Sequence, residues 1–569
     1  MRNTDPIDAT ADRRVAPSTE RRGGRGSRRH AAPRRKAGGG PARASLLMAV
    51  GTVVSRATGL IRQFLQIAAL GTGLLASTYT TSNTVPTSLY TLVIGGALNA
   101  VLVPQLVRAR ETHPDGGRAH EQRLVTLVVC VLAAGTALAV WAAPQIVGLY
   151  MRDTPQNREA FDLTVTFARF LLPQIFFYGL FGIYGQVLNA RERFGAMMWT
   201  PVLNNVVLIG MFLAYLGTMT VPESVQDITA GQVRWLGVGT TAGIAVQALA
   251  LVPFARAAGF RFRPRFDWRG SGLGASVHAA KWTLLFVLAN LTAHTVVTNY
   301  ANAADAELPQ AGVGFAAYTY AQTIWMLPQS IVTVSLVTAL LPRMSRAAAQ
   351  GRLGDLRADL SRGLRVSGAL VVPAGFLFLA LGPQFSSLLA HGAADADSLR
   401  PLGYMLQALG LGLVPFSAQY LLLRGFYAFG DTRTPFLMAA FTAAVNIALA
   451  TACHLLLPAR WAVVGMAAAY ALASAAGLAL TAHLLRRRLG GRIGGDRGGL
   501  LRAHGKLLGA AAPAAALGWC VARGCERWIG GTGGTALALG AGTLALALGY
   551  LALGRLLKAD ELRRLPGLR

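Results

Sequence analysis

The chain has 569 residues, with 54 Lys and Arg against 25 Asp and Glu, a formal net charge of +29. Only 14% of residues are charged while 53% are hydrophobic, and the mean hydropathy is +0.44. These values exclude a soluble nucleic-acid binder, which would be charged throughout, and soluble enzymes of two or three domains; an all-α polytopic membrane protein remains, because apolar runs of about 20 residues, enough to cross ~30 Å of hydrocarbon, recur along the chain.

Residues 1–43 carry 12 basic side chains against 4 acidic ones and almost no large apolar residue, which predicts a disordered basic cytoplasmic tail. It either meets anionic lipids of the inner leaflet, at about 1 kcal/mol per basic residue, or acts as a topology-fixing arm without a partner. The apolar stretch after Ala44 is too long for a cleaved signal peptide.

Fourteen spans are predicted at 44–70, 77–107, 123–149, 160–188, 199–217, 234–256, 279–303, 312–342, 365–390, 399–428, 435–457, 461–486, 503–523 and 533–556. Alternate loops are rich in Lys and Arg, as in Arg108 to Arg123, Arg256 to Lys281 and Arg343 to Arg365. The intervening loops are poor in them: Met219 to Gln232 holds Glu223 and Asp227, and Ala301 to Gln310 holds Asp305 and Glu307. With basic loops inside, both termini are expected to be cytoplasmic. An internal repeat appears at an offset of 238 residues: Val103-Pro104-Gln105-Leu106-Val107-Arg108-Ala109 matches Leu341-Pro342-Arg343-Met344-Ser345-Arg346-Ala347, Ser45-Leu46-Leu47 matches Thr283-Leu284-Leu285, and Ala190 falls on Ala428. The expected organisation is therefore the tail at 1–43, an N-lobe at 44–256, a basic linker at 257–281, a C-lobe at 282–486, and an appended helix pair with a short tail at 487–569. Two related six-helix lobes around a central cavity would move substrate by rocking against each other.

Span 1 holds Thr52, Ser55, Arg56, Gly59, Arg62, Gln63 and Gln66. At about 100° per residue all seven fall within an arc of roughly 120°. An arginine in the middle of a bilayer costs roughly 2.5–3.5 kcal/mol even on a lenient scale, so two on one polar stripe imply a water-filled cavity. The bland alternative is that Arg56 or Arg62 snorkels to the surface or pairs with an acid. Span 2 continues the polarity from Ser77 to Thr84 and includes Asn83, Tyr90 and Asn99. Span 7 sets Asn290, His294 and Thr298 on one face, and span 8 holds Tyr318, Tyr320 and Thr323. His294 is either a neutral hydrogen-bonding group between helices or a cavity residue. No pair of acids is expected within the spans, which argues against a dedicated proton relay.

No phosphate-binding glycine loop, Ser/His/Asp arrangement or metal-ligand cluster occurs, so no catalytic residue, metal or cofactor is expected, and Gly530 to Gly534 reads as an external turn. The four cysteines, Cys130, Cys453, Cys520 and Cys525, lack metal-site spacing and are expected as unpaired thiols, although Cys520 and Cys525 flank a loop where a disulfide is chemically open.

Four segments carry a family resemblance: Ser55-Arg56-Ala57-Thr58-Gly59-Leu60-Ile61-Arg62, Gly96-Ala97-Leu98-Asn99-Ala100-Val101-Leu102-Val103-Pro104, Leu188-Asn189-Ala190-Arg191-Glu192-Arg193-Phe194, and Gly425-Phe426-Tyr427-Ala428-Phe429-Gly430-Asp431-Thr432-Arg433-Thr434-Pro435. Together they resemble the MurJ/MviN family of the multidrug/oligosaccharidyl-lipid/polysaccharide exporter superfamily, fourteen-helix proteins regarded as flippases of lipid II, the peptidoglycan precursor. The resemblance covers residues about 44 to 560. It implies that Ser55, Arg56 and Arg62 match the family's cavity serine and arginines. The chain departs from the pattern where family members carry an acid early in span 2 (here Ser77), arginines in spans 2 and 8 (here Tyr90 and Thr323), and a glutamate near Gly95.

The expected function is transport of an undecaprenyl-diphosphate-linked head group, lipid II above all, from the inner to the outer leaflet of the bacterial cytoplasmic membrane. Arg56 and Arg62 would pair with the diphosphate, and Ser55, Asn83 and Asn99, with Thr52, Tyr90, Thr323 and His294, would complete the substrate-binding surface. The rival readings are a flippase for another polyprenyl-linked glycan, a cation-coupled drug exporter of the same fold, and a non-transporting scaffold that recruits wall-synthesis or division proteins. No nucleic-acid partner is expected.

Overall fold

The computed structural model describes residues 41–92, 117–191, 193, 195–267, 273–389, 396–491, 493, 499–529 and 531–563. The first 46 residues form one unit, described from Pro41; Leu47–Arg569 form the other. Among the described residues the regular structure is helical, with no strand.

Among the described residues the helices of the first half are α1 (Pro41–Leu70), α2 (Leu74–Tyr90), α3 (Arg118–Trp141), α4 (Ala143–Tyr150), α5 (Arg158–Leu171), α6 (Gln174–Asn189), α7 (Gly195–Thr218), α8 (Ala230–Leu249) and α9 (Leu251–Ala257). Then come α10 (Leu273–Glu307), α11 (Phe315–Ala349), α12 (Leu353–Ser387), α13 (Ala396–Ala428), α14 (Arg433–Leu456) and α15 (Ala459–Arg488). The chain continues with α16 (Gly499–Trp528), α17 (Gly531–Leu556) and the short α18 (Asp560–Arg563). Over the described residues every predicted span falls on one helix or on a broken pair, and residues 93–107 of the second span lie outside them. The third and fourth spans break at Ala142 and Pro173, where Pro144 opens α4 and Pro173 precedes α6, because a proline inside a helix removes an amide and clashes with the preceding turn. The glycine run predicted as a turn is helical from Gly531, whose φ of +79° suits a residue without a side chain. All four cysteines are free.

Among the described residues twelve stretches are long and apolar enough to cross a membrane. Helix α1 is absent from that set, and α2 is described over only 17 residues.

Two lobes follow from the packing. Helices α2, α5 and α6 pack together, α8 lies against α5, α6 and α7, and α3 against α6. In the second lobe α13 packs on α11, α12 and α15, while α14 lies against α10 and α15. The hairpin of α16 and α17 docks on α12. The repeat seen in the sequence returns as matching turns 238 residues apart. After α6 the amides of Arg191 and Arg193 both donate to the Leu188 carbonyl at 3.0 Å. After α13 the amides of Phe429 and Asp431 donate to the Phe426 carbonyl at 3.0 and 3.1 Å. The next helix starts at Gly195 in one lobe and at Arg433 in the other, again 238 apart.

Candidate functional site

Helix α1 changes character along its length. Thr52 and Arg56 are exposed, Ser55 and Arg62 are half-buried, and Gln63 and Gln66 are buried. These residues share one polar arc, so the difference lies in what covers the arc at each end. At the far end Gln63 donates to the Tyr320 carbonyl at 3.3 Å and Gln66 to the Tyr320 hydroxyl at 3.0 Å, both across to α11. Beside Ser55, Asn205 of α7 donates to the Ser55 carbonyl and the Thr58 hydroxyl, each at 3.0 Å, which fixes α1 to its own lobe.

Helix α10 repeats the gradient. Asn290 is exposed, His294 half-buried, and Thr298, Asn302 and Asp305 have no exposure at all. Asn290 and His294 lie 238 residues after Thr52 and Arg56, so the repeat pairs the polar positions of α1 and α10. The His294 ring sits edge-on to Phe315 at 5.8 Å, which packs it into its own lobe.

Between these ends sits Arg62. Tyr79, Tyr178 and Tyr320, one from each of three other helices, lie within electrostatic reach of its guanidinium. Its Nε is buried without a hydrogen-bond partner. The Tyr90 ring lies tilted against Tyr178 with centroids 4.9 Å apart, and Gln174 donates to Asn83 Oδ1 at 3.4 Å, so two predicted residues of α2 meet α6. Thr323 is exposed on α11 and donates back to its own helix. Asn99 lies outside the described residues, as does Gly95.

The lobes bind each other where α1 ends and α2 begins. The Leu74 amide donates to the Pro309 carbonyl at 2.8 Å, and the Thr72 hydroxyl to the Ser398 carbonyl at 3.0 Å. Asn302 donates to the Thr81 hydroxyl at 3.0 Å and to the Tyr150 carbonyl at 2.9 Å. The Ser77 hydroxyl donates to the carboxylate of Asp305. An acid read from the sequence as part of an outer loop is therefore a buried element of the lobe junction. The reading missed it because Asp305 stands beside Glu307 at the end of a helix; the burying partner is 228 residues away. The carboxylate that the resemblance expects at position 77 reaches that place from the opposite lobe.

Two of the resemblance motifs have structural work. Arg191 pairs with Glu121 at 2.7 Å, both side chains nearly inaccessible, and lies over the Phe260 ring at 5.2 Å. Asp431 accepts from the Thr434 amide at 3.0 Å and hydroxyl at 2.8 Å, and pairs with Arg488 at 2.5 Å. An apolar groove of about 600 Å³ between α7 and α8, lined by Met211, Ala214, Arg234, Trp235 and neighbours, involves none of the helices that carry the polar gradient. Among the described residues no group of three His, Cys, Asp or Glu could hold a metal.

A family model described as lipid II flippase MurJ matches residues 67–532. The chain belongs to the lipid II flippase MurJ family. It is 31% identical over 407 residues to a probable lipid II flippase MurJ of Rhizobium meliloti, covering 70% of this chain and 72% of that protein. It is 27% identical over 483 residues to a probable lipid II flippase MurJ of Synechocystis, covering 83% and 86%. A solved lipid II flippase MurJ in an inward closed conformation superposes with a TM-score of 0.70 at 17% identity, covering 90% of this chain and 99% of that one. A multidrug resistance MATE transporter of the MOP superfamily, in an inward-facing conformation, gives 0.59 at 15% identity and covers 78% and 98%. These last two likenesses establish the fold alone: an all-helical, MurJ-like one.

Proposed function

We propose that the protein moves lipid II across the cytoplasmic membrane by alternating access, with Arg56 and Arg62 receiving the diphosphate. The polar arc of α1, exposed at Thr52 and Arg56 and sealed at Gln63 and Gln66, carries this reading. A phosphate that entered from the exposed end would meet Arg56 first and Arg62 beneath the seal. Guanidinium groups suit a diphosphate because their fixed donors pair with its oxygens two at a time. The tyrosine and amide walls around Arg62, with Asn83 and Tyr90, then present hydroxyls and amides to the sugar. The prenyl tail stays in lipid while the head group crosses between the lobes.

With both termini cytoplasmic, the sealed end is the outer one and the arrangement faces inward. An inside-negative potential favours outward movement of an anion by ~2.3 kcal/mol per charge per 100 mV, so voltage supplies a driving force without a nucleotide. The process needs no covalent step from this chain. A polyprenyl-linked glycan other than lipid II is the second reading, and it is favoured by the uncharged Tyr90 and Thr323 where the family resemblance has charges. The test is growth of cells depleted of their own lipid II flippase. Wild type is expected to support them and Arg56→Ala to fail at equal membrane abundance; support by Arg56→Ala would remove Arg56 from the substrate path.

A further inference from the structure

We infer that Asp305 is the positioning residue of the transport cycle: its carboxylate holds the lobes together at the sealed end, and the loss and recovery of its bond to Ser77 sets the balance between the sealed and open arrangements. The inference rests on the alternating-access reading, but not on the identity of the substrate.

Three helices converge on this carboxylate. Asp305 lies in the last turn of α10. The Ser77 hydroxyl from the first turn of α2 donates to its Oδ2. The same hydroxyl accepts from the Ala316 amide, in the first turn of α11, at 2.9 Å. The amides of Gly314 and Phe315, at the N-terminus of α11, lie against the carboxyl. Those are among the amides that a helix leaves without internal partners, and the aligned peptide dipoles of α11 favour an anion there. Gly314 has to be glycine: a Cβ would stand 1.9 Å from the Asp305 carboxyl carbon.

The division of these contacts between the lobes makes the group a latch rather than a fixed strut. Helices α10 and α11 belong to one lobe, so when the lobes part the carboxylate keeps the helix N-terminus that stabilises it. Only the bond to Ser77 belongs to the other lobe. Asp305 Oδ1 is buried without a hydrogen-bond partner in the sealed arrangement. A buried unsatisfied acceptor is costly, and water admitted by opening would satisfy it. Ser77 thus carries the carboxylate's share of the seal, beside the Leu74–Pro309, Thr72–Ser398 and Asn302–Thr81 bonds, and opening would relieve Oδ1. Asn302, one turn earlier on α10, makes the neighbouring bonds to Thr81 and to the Tyr150 carbonyl, so the latch sits in a line of contacts that part together.

The experiment uses the full chain in lipid nanodiscs with its four cysteines replaced. Spin labels at Glu223→Cys in the first lobe and Arg400→Cys in the second report their separation at this end. The expected result is a predominantly short distance for the parent chain. In Asp305→Ser the ratio of long to short distances should rise about fivefold, the equivalent of one hydrogen bond, and in Ser77→Ala, which also removes the acceptor of the Ala316 amide, at least as much. Ser77→Asp, which sets two carboxylates face to face, should raise it further. The exchange Ser77→Asp with Asp305→Ser rebuilds one carboxylate–hydroxyl bond and should restore the parent ratio and growth support together. Unchanged ratios in Ser77→Ala, whose loss of one oxygen leaves the fold intact, would overturn the latch. So would an exchange variant that melts like the parent yet opens like the singles. Shifted ratios with undiminished growth support would leave the latch standing and count against the proposed transport function instead.

Discussion

Arg56 and Arg62 stand on one stripe, yet their surroundings ask different things of them. Arg56 is exposed, so a lysine there still offers a positive charge to an incoming phosphate. Arg62 is half-buried with its Nε shut away from water and Tyr79, Tyr178 and Tyr320 within electrostatic reach, so direction matters as well as charge. A planar guanidinium presents several fixed donors, whereas an ammonium is a compact point charge. Arg62→Lys is therefore expected to lower the rate of lipid II translocation in proteoliposomes at least tenfold, and Arg56→Lys to lower it by less. Equal losses in the two variants would show that only charge is used. The stripe that carries both arginines was legible in the sequence because the angular spacing of span 1 needs nothing beyond the helix itself. Asp305 was not legible: its role depends on Ser77, and no local pattern carries a contact between lobes.

At the scale of elements, the two resemblance motifs act as fasteners at helix ends. Glu121 and Arg191 join α3 to the turn after α6 as an ion pair almost without access to water. Removing one partner of such a pair strands a buried charge, at a cost of about 3–5 kcal/mol, while replacing both with apolar residues is often neutral. Glu121→Ala is expected to lower the melting temperature in detergent clearly, and Glu121→Leu with Arg191→Met to recover most of the loss; a Glu121→Ala protein that melts like the parent would refute the fastening. Asp431 fastens α14 to the end of α15. Burial pushes its carboxyl up, but the Thr434 amide and hydroxyl and the Arg488 guanidinium outweigh it and hold the group below the usual carboxylate range. A depressed carboxyl stabilises the fold when ionised. Its contribution is whole above the ordinary value of about 4 and is lost as the pH falls through the lower folded value. The melting difference between the parent and Asp431→Asn should accordingly be present at about pH 6 and shrink toward about pH 3, and a difference independent of pH would exclude this role. The existence of these turns was written in the sequence as repeated motifs, and their partners, Glu121 and Arg488, were not, since each is supplied by another helix.

For the molecule as a whole, the repeat at offset 238 made two lobes legible, and the recurring turn hydrogen bonds after α6 and α13 carry it into three dimensions. How the lobes meet could not be read the same way, because composition is blind to rigid-body arrangement: Thr52 and Gln66 are both polar residues of one stripe, and only the fold covers one of them. That difference in cover gives the most direct check on orientation and state. In a chain stripped of native cysteines, Thr52→Cys is expected to react with a membrane-impermeant maleimide added to the cytoplasmic side, and Gln66→Cys to resist it from either side. Opening the latch with Ser77→Asp should then make Gln66→Cys reactive from the outside, because the seal over α1 is formed by the same junction that Asp305 holds. Reaction of Thr52→Cys from the outside alone would invert the topology. Reaction of Gln66→Cys from the cytoplasmic side in the otherwise unaltered chain would mean that the polar stripe runs uncovered past Arg62, and the head group would then have no closed end to be held against.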